Sequence, residues 1–211
     1  MPGMTRDVRV PVEGGYLAVT DAGAGPPLLL LHGSNADRSW ADRLIDRLAP
    51  SFRCLAPDRR GAGESMAPVG ASDPTWTTLA DDVLAVVRWA GAARPLVAGA
   101  SWGAKIALAY AAAGYPCGGV LCIDGCAWGD AGTLHEDLYQ RIACPVRMVF
   151  ATESRRQERD WPYTPETVAA FAARHPRLLL SWLPCGHDIG RQMSAELARL
   201  IAAFAALVQL S

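Results

Sequence analysis

The pentapeptide Gly99-Ala100-Ser101-Trp102-Gly103 follows a short apolar run, Leu96 to Ala98, and opens a helical pattern that begins at Trp102. A serine on so sharp a strand-to-helix turn is forced into a strained backbone, and the flanking glycines let neighbouring chain approach without a Cβ clash. Its hydroxyl would stand clear of the turn as a nucleophile. The positive end of the following helix would face the reaction centre, and the Trp102 N–H could bond a developing oxyanion. Such a serine could instead merely cap a helix, but a strand before it and a helix after it favour the chemical role. Two further motifs suit the same chemistry. His32-Gly33-Ser34 ends another apolar run and could aim the Ser34 N–H at the same oxyanion, with His32 bracing the turn rather than moving protons. Gly186-His187-Asp188 lies in a loop between the last strand-like run and the last helical pattern, where His187 could act as general base to Ser101. His135 and His175 fall within or at the end of helical patterns among charged residues and read as solvated surface.

These residues need a scaffold that brings loops to one edge. Val8 to Val12 and Tyr16 to Thr20 flank Glu13-Gly14-Gly15 and predict an antiparallel hairpin. Then β-rich runs at 28–31, 52–56, 96–98, 120–123, 146–150 and 178–183 alternate with helical patterns at 36–48, 77–89, 102–113, 134–142, 165–174 and 194–208. That alternation predicts an α/β fold, a mostly parallel sheet of about eight strands flanked by helices. Thr164 followed by Pro165 reads as an N-cap with proline at the first helical position. No repeat or interdomain linker interrupts the pattern, so one domain over residues 1–211 is expected.

Composition narrows the function classes. The 211 residues are 51% hydrophobic and carry 20 basic against 21 acidic side chains, a formal net charge of −1, without a basic block to neutralise phosphates. Nucleic acid is not expected as a partner. No run approaches the ~18 apolar residues of a membrane span, and Met1 to Val12 has no secretory apolar stretch, so a cytoplasmic protein without membrane attachment is expected. The six cysteines form no C-x-x-C pair and mostly adjoin apolar runs, which fits buried, inert thiols in a reducing compartment; no zinc-like spacing with histidine occurs.

Together the Ser101 turn, His32-Gly33 with Trp40 downstream, the Gly186-His187 loop and Asp58-Arg59-Arg60-Gly61-Ala62-Gly63-Glu64-Ser65 resemble the α/β-hydrolases, more narrowly their serine esterase and acyl-transfer branch, from Gly14 to Phe204. The resemblance implies a catalytic triad of Ser101, His187 and an acid, and makes the Asp58 to Ser65 loop structural. Family members usually carry the acid after the strand that here is Val146 to Phe150, which puts Glu153 first. Some relatives carry it one strand earlier, which keeps Asp124 as the alternative, with Asp160 and Asp188 behind. Only residues 125–145 fill the interval where relatives insert a lid, so a minimal cap and an open site walled by Trp40, Trp102, Trp128 and Trp161 are expected. The implied reaction is hydrolysis of an ester or thioester through an acyl-enzyme, with no cofactor or metal, by a monomer or small homo-oligomer. A thioesterase or cyclase acting on a carrier-bound acyl chain is the alternative within the enzyme class, and a non-catalytic ligand-binding protein is the alternative outside it. A serine nucleophile argues against epoxide and haloalkane hydrolysis, for which the family places aspartate at that position.

Overall fold

The computed structural model describes residues 5–66, 73–125, 136–153 and 164–209. Its centre is an eight-stranded sheet in the order β1-β2-β4-β3-β5-β6-β7-β8. The strands are β1 (Arg6–Val12), β2 (Gly15–Ala22), β3 (Pro27–Leu31), β4 (Arg53–Pro57), β5 (Leu96–Ala100), β6 (Gly119–Ile123), β7 (Val146–Ala151) and β8 (Leu178–Leu183). β1 and β2 form the expected hairpin, with Gly14 at φ +77°, and β2 joins β4 antiparallel; every later pairing is parallel. The C-terminal ends of the parallel strands therefore share one edge, where ligands collect in open α/β sheets.

The continuous apolar runs are explained by helices on both faces. On one face, Leu29, Leu31, Val97, Val120 and Cys122 pack against α2 (Trp76–Trp89) and α3 (Trp102–Ala112), with α4 (Glu136–Arg141) and α5 (Pro165–Ala172) extending that layer. The alternate residues Leu28, Leu30, Ala98, Leu121 and Ile123 pack on the other face against α1 (Asp42–Leu48) and α7 (Ser194–Gln209). With side chains alternating across the pleat, each strand must be apolar at every position to fill two cores. The pattern expected over 36–48 resolves into a short 3-10 turn, Arg38–Ala41, capped by Asp37, and then α1. A short helix that the sequence pattern did not announce, α6 (Ile189–Gln192), follows the last strand. Thr164 caps α5 by accepting from Thr167 N.

Two expectations change. His175 is half-buried rather than solvated, with its ring 4.2 Å from that of Phe171 and its Nε2 3.4 Å from Glu136 Oε1. Trp40 is 6% exposed, its ring held against Gly190, so it belongs to the core and not to a pocket wall. Cys54, Cys122, Cys144 and Cys185 are buried as expected and Cys117 is partly so. Cys126, Trp128, His135, Asp160 and Trp161 lie outside the described residues. Among the described residues no helix is long and apolar enough to cross a membrane.

Candidate active site

Ser101 stands between β5 and α3 at φ +50° and ψ −112°, one of two non-glycine residues at positive φ among those described. An L-residue held there costs about 1–3 kcal/mol, which persists only where surrounding structure dictates it. The surroundings do dictate it. A Cβ on Gly99 would fall 2.2 Å from Gly103 O, one on Gly103 2.3 Å from Leu31 O, and one on Gly125 2.4 Å from Ser101 O. The turn is thus folded tightly on itself and pressed by the backbone at the end of β3 and after β6, and Ser101 N donates to Ile123 O at 2.8 Å to fix it to the end of β6.

Asp124, the next residue along β6's exit, is the other strained residue, at φ +41°, and it is 3% exposed. Its N donates to Val149 O at 2.7 Å, and its Oδ1 accepts from Ala151 N at 2.9 Å, so the end of β7 positions the carboxylate. Its Oδ2 accepts from His187 Nδ1 at 2.7 Å. A carboxylate cannot donate, so the neutral imidazole carries its proton on Nδ1 and its lone pair on Nε2. His187 keeps 58% of its side chain exposed. Its loop is held where Gly186 N donates to Gln192 Oε1 at 2.8 Å and Ile189 N to His187 O at 3.0 Å, which is the service α6 performs.

The structure therefore brings Asp124, and not Glu153, to His187. Beyond β7 the chain stays paired with the segment after β8, through Thr152 N to Leu183 O at 2.9 Å and Glu153 N to Cys185 O at 3.0 Å. That pairing keeps Glu153 at the rim, where its side chain is exposed and takes no hydrogen bond among the described residues. Asp188 is occupied in capping α6, accepting from Arg191 N at 3.2 Å. Burial, and then the charges of Asp124 and Glu153, push the Cys185 thiol up, so the sulfur beside this pair stays protonated.

The His32-Gly33-Ser34 turn passes directly beside Ser101, since a Cβ on Gly33 would lie 3.4 Å from Ser101 Cβ. Neither Ser34 N nor Trp102 N donates to a protein acceptor among the described residues. His32 is buried, donates through Nδ1 to Gly33 O at 2.7 Å and accepts at Nε2 from Arg59 N at 2.9 Å. Burial pulls its pKa below the ordinary value, in keeping with a neutral ring. Two features had no signal in the sequence pattern. Arg59 Nη2 donates to Ser34 O at 3.3 Å, and Trp76 packs against Trp102 with the rings tilted by 37° and their centroids 4.8 Å apart while remaining 43% exposed.

The Asp58 to Ser65 loop locks this edge. Asp58 is fully buried, accepts from Arg38 N at 2.6 Å and Glu64 N at 2.8 Å, and pairs with the Arg38 guanidinium. Gly63, at φ +53°, is required because a Cβ there would overlap the Asp58 carboxylate. Ser65 Oγ donates to Asp58 O and accepts from Ala18 N, while Arg60 forks onto Asp82.

Comparison with known proteins agrees with this architecture. A soluble epoxide hydrolase of Corynebacterium sp. (strain C12) is 36% identical over 102 residues, covering 47% of this chain and 34% of the relative. The chain thus aligns with about a third of the length of that curated relative. Among solved structures, an E-2-(acetamidomethylene)succinate hydrolase superposes with a TM-score of 0.81 at 17% identity, covering 95% of this chain and 99% of that one. An esterase of Thermogutta terrifontis superposes at 0.80 and 20% identity, covering 96% and 99%. Residues 26–180 match the family model described as the alpha/beta hydrolase fold, and with the eight-stranded sheet in place the chain belongs to the α/β-hydrolase family.

Proposed function

We propose that this chain is a serine hydrolase that cleaves carboxylic ester-type bonds, with Ser101 as nucleophile, His187 as general base and Asp124 as the acid that orients it. The observation that carries the reading is the 2.7 Å contact from His187 Nδ1 to the buried Asp124 Oδ2, made one residue from the backbone that anchors Ser101. In this arrangement Nε2 of His187 takes the Ser101 proton as Oγ attacks the substrate carbonyl, and Asp124 stabilises the imidazolium. The Ser34 and Trp102 N–H groups receive the oxyanion. Collapse expels the alcohol, protonated by His187, and water activated by the same nitrogen releases the acid. Each step uses only groups of this chain and water.

The chemistry also separates this proposal from what the Corynebacterium relative's name says of that protein. Epoxide opening by a serine alkoxide would form an ether, which water and a histidine do not cleave, whereas a carboxylate nucleophile forms a hydrolysable ester. Ser101 at the strained turn supports acyl transfer.

A fluorophosphonate probe tests the reading. Wild-type protein is expected to be labelled at Ser101 and to hydrolyse an aryl acetate, with both lost in Ser101→Ala while melting is retained. Labelling at another residue, or aryl acetate hydrolysis near the wild-type rate in Ser101→Ala, would remove Ser101 from the mechanism. A protein that resists the probe altogether would be a binding module on the hydrolase fold.

A further inference from the structure

We infer that Trp76, resting on Trp102, is a specificity-determining residue for the reaction proposed above, and that together with Lys105 it selects a substrate bearing a flat aromatic group with an anionic substituent. The inference rests on the serine-hydrolase reading and deepens it by naming a substrate class.

Two helices begin at the edge that holds the nucleophile. α2 connects β4 to β5 and α3 connects β5 to β6, all parallel to one another, so both helices start where those strands end. α3 starts at Trp102, directly after Ser101, and α2 starts at Trp76, behind the Thr75 cap. The Cα of Trp102 lies about 3.8 Å from that of the nucleophile, the fixed span of a trans peptide. Its indole meets that of Trp76 with centroids 4.8 Å apart and planes tilted by 37°. A tryptophan serving only the core would be covered, yet Trp76 is 43% exposed. Trp89, at the other end of α2, is also exposed, but the guanidinium groups of Arg6 and Arg53 lie over its ring. No cation lies over Trp76 among the described residues. An indole left in water beside a reaction centre is a surface that a ligand's ring can cover with gain.

The charge at this edge fixes the class of ligand. Lys105, the one lysine of the chain, holds its Nζ 5.4 Å from the centroid of the Trp102 ring. It follows Trp102 by three residues on the same helix face, and helical side chains tilt toward the N-terminus, so the ammonium is carried back toward the Ser101 end. It makes no hydrogen bond or ion pair among the described residues. The acids of α2 are already engaged, Asp81 by the Tyr115 hydroxyl and Asp82 by Arg60. Neither α2 nor α3 has an acidic residue in its first turn, although the helix dipole favours one there. Two positive helix ends and an ammonium without a counter-ion suit an anion, and they disfavour the alternative use of an exposed indole, which is to seat a cation.

Calorimetry on the full chain tests this with 2-naphthoate, its saturated analogue decalin-2-carboxylate and its neutral analogue 2-naphthamide. Wild type is expected to prefer 2-naphthoate to each of the others by at least about threefold, the scale of one aromatic pair or one exposed charge contact. Trp76→Ala should abolish the preference over the saturated acid and keep that over the amide, Lys105→Gln should do the reverse, and Trp76→Phe should retain the aromatic preference. 2-Naphthoate should also protect Ser101 from the fluorophosphonate. Circular dichroism and melting accompany each variant, and Trp76→Leu, which keeps apolar volume without the ring, replaces an alanine variant that does not fold. Equal affinity for the three ligands, a preference that survives its own substitution, or binding that leaves Ser101 unprotected overturns the proposal. Because binding needs no turnover, the two readings separate. A wild type that labels at Ser101 and shows neither preference loses the aromatic ledge alone, whereas one that shows both preferences and resists the probe keeps the ledge and loses the serine-hydrolase reading.

Discussion

Asp124→Asn is the sharpest perturbation available, because the Asp124 carboxylate faces at least two donors. Oδ2 accepts from His187 Nδ1 and Oδ1 from Ala151 N, at 2.7 and 2.9 Å, with the side chain almost fully buried. An asparagine supplies one acceptor oxygen and one NH2. If its oxygen keeps Ala151, the NH2 confronts His187 and stabilises the tautomer with its proton on Nε2, which cannot accept from Ser101. If the oxygen keeps His187, the NH2 is driven against the Ala151 N–H at the end of β7. The first arrangement costs catalysis and the second costs the loop. Loss of the orienting acid in a serine triad has lowered turnover by about 10⁴, which corresponds to about 5.5 kcal/mol of transition-state stabilisation. The lost charge-assisted bond should cost about 1.5–3 kcal/mol of stability, so the variant remains folded and its melting temperature falls by several degrees. Initial rates on an aryl acetate, taken with melting curves, separate the two costs. Glu153→Gln, at the exposed rim, should keep kcat within about threefold of wild type, since an unpaired exposed charge contributes little. Asp124→Asn within about tenfold of wild type, or Glu153→Gln as the crippled variant, would refute the assignment.

His187→Ala should lose several orders of magnitude in kcat with little change in melting, because more than half of the side chain is solvent-exposed; a merely tenfold loss would point to another base. Ser101→Gly removes the hydroxyl together with the strain of a positive φ, and should raise stability by about 1 kcal/mol, or about 2–4 °C, where Ser101→Ala gives no such gain; equal melting temperatures for the two would mean that the turn stores no strain. Below pH about 6.5 an unfolded histidine gains a proton that buried His32, with its lowered pKa, resists. The stability it contributes is fully present above the unfolded pKa and is lost as pH falls through the window down to the folded one. Melting temperature followed from pH 8 to 5 should therefore fall less steeply in His32→Asn, and identical slopes would show that position 32 does not titrate with unfolding.

The sequence made the fold legible because each part of it leaves a local trace. Central strands such as Leu28-Leu29-Leu30-Leu31 must be apolar on both faces, and the Ser101 and Asp58 turns need glycine at fixed offsets where a Cβ would strike backbone or carboxylate. The order of Ser101, Asp124 and His187 along the chain is likewise readable as motifs. What the sequence did not decide was which carboxylate faces His187. That choice depends on how far β7 continues to pair with the chain after β8, and the pairing of Glu153 N with Cys185 O is a property of two loops 32 residues apart that no spacing rule encodes. Arg59 was illegible for the same reason, since its position under Ser34 follows from β3 and β4 lying side by side. His32 illustrates the limit in another way. Composition and position mark it as a brace, and only the two contacts at its ring nitrogens give the brace a direction. Ser101 and His32 thus end neighbouring strands of one sheet, the first strained by backbone packed around it and the second neutral because it is buried. The scaffold sets both conditions in the free protein, so the proposed site, exposed at His187, would act through prepositioned groups.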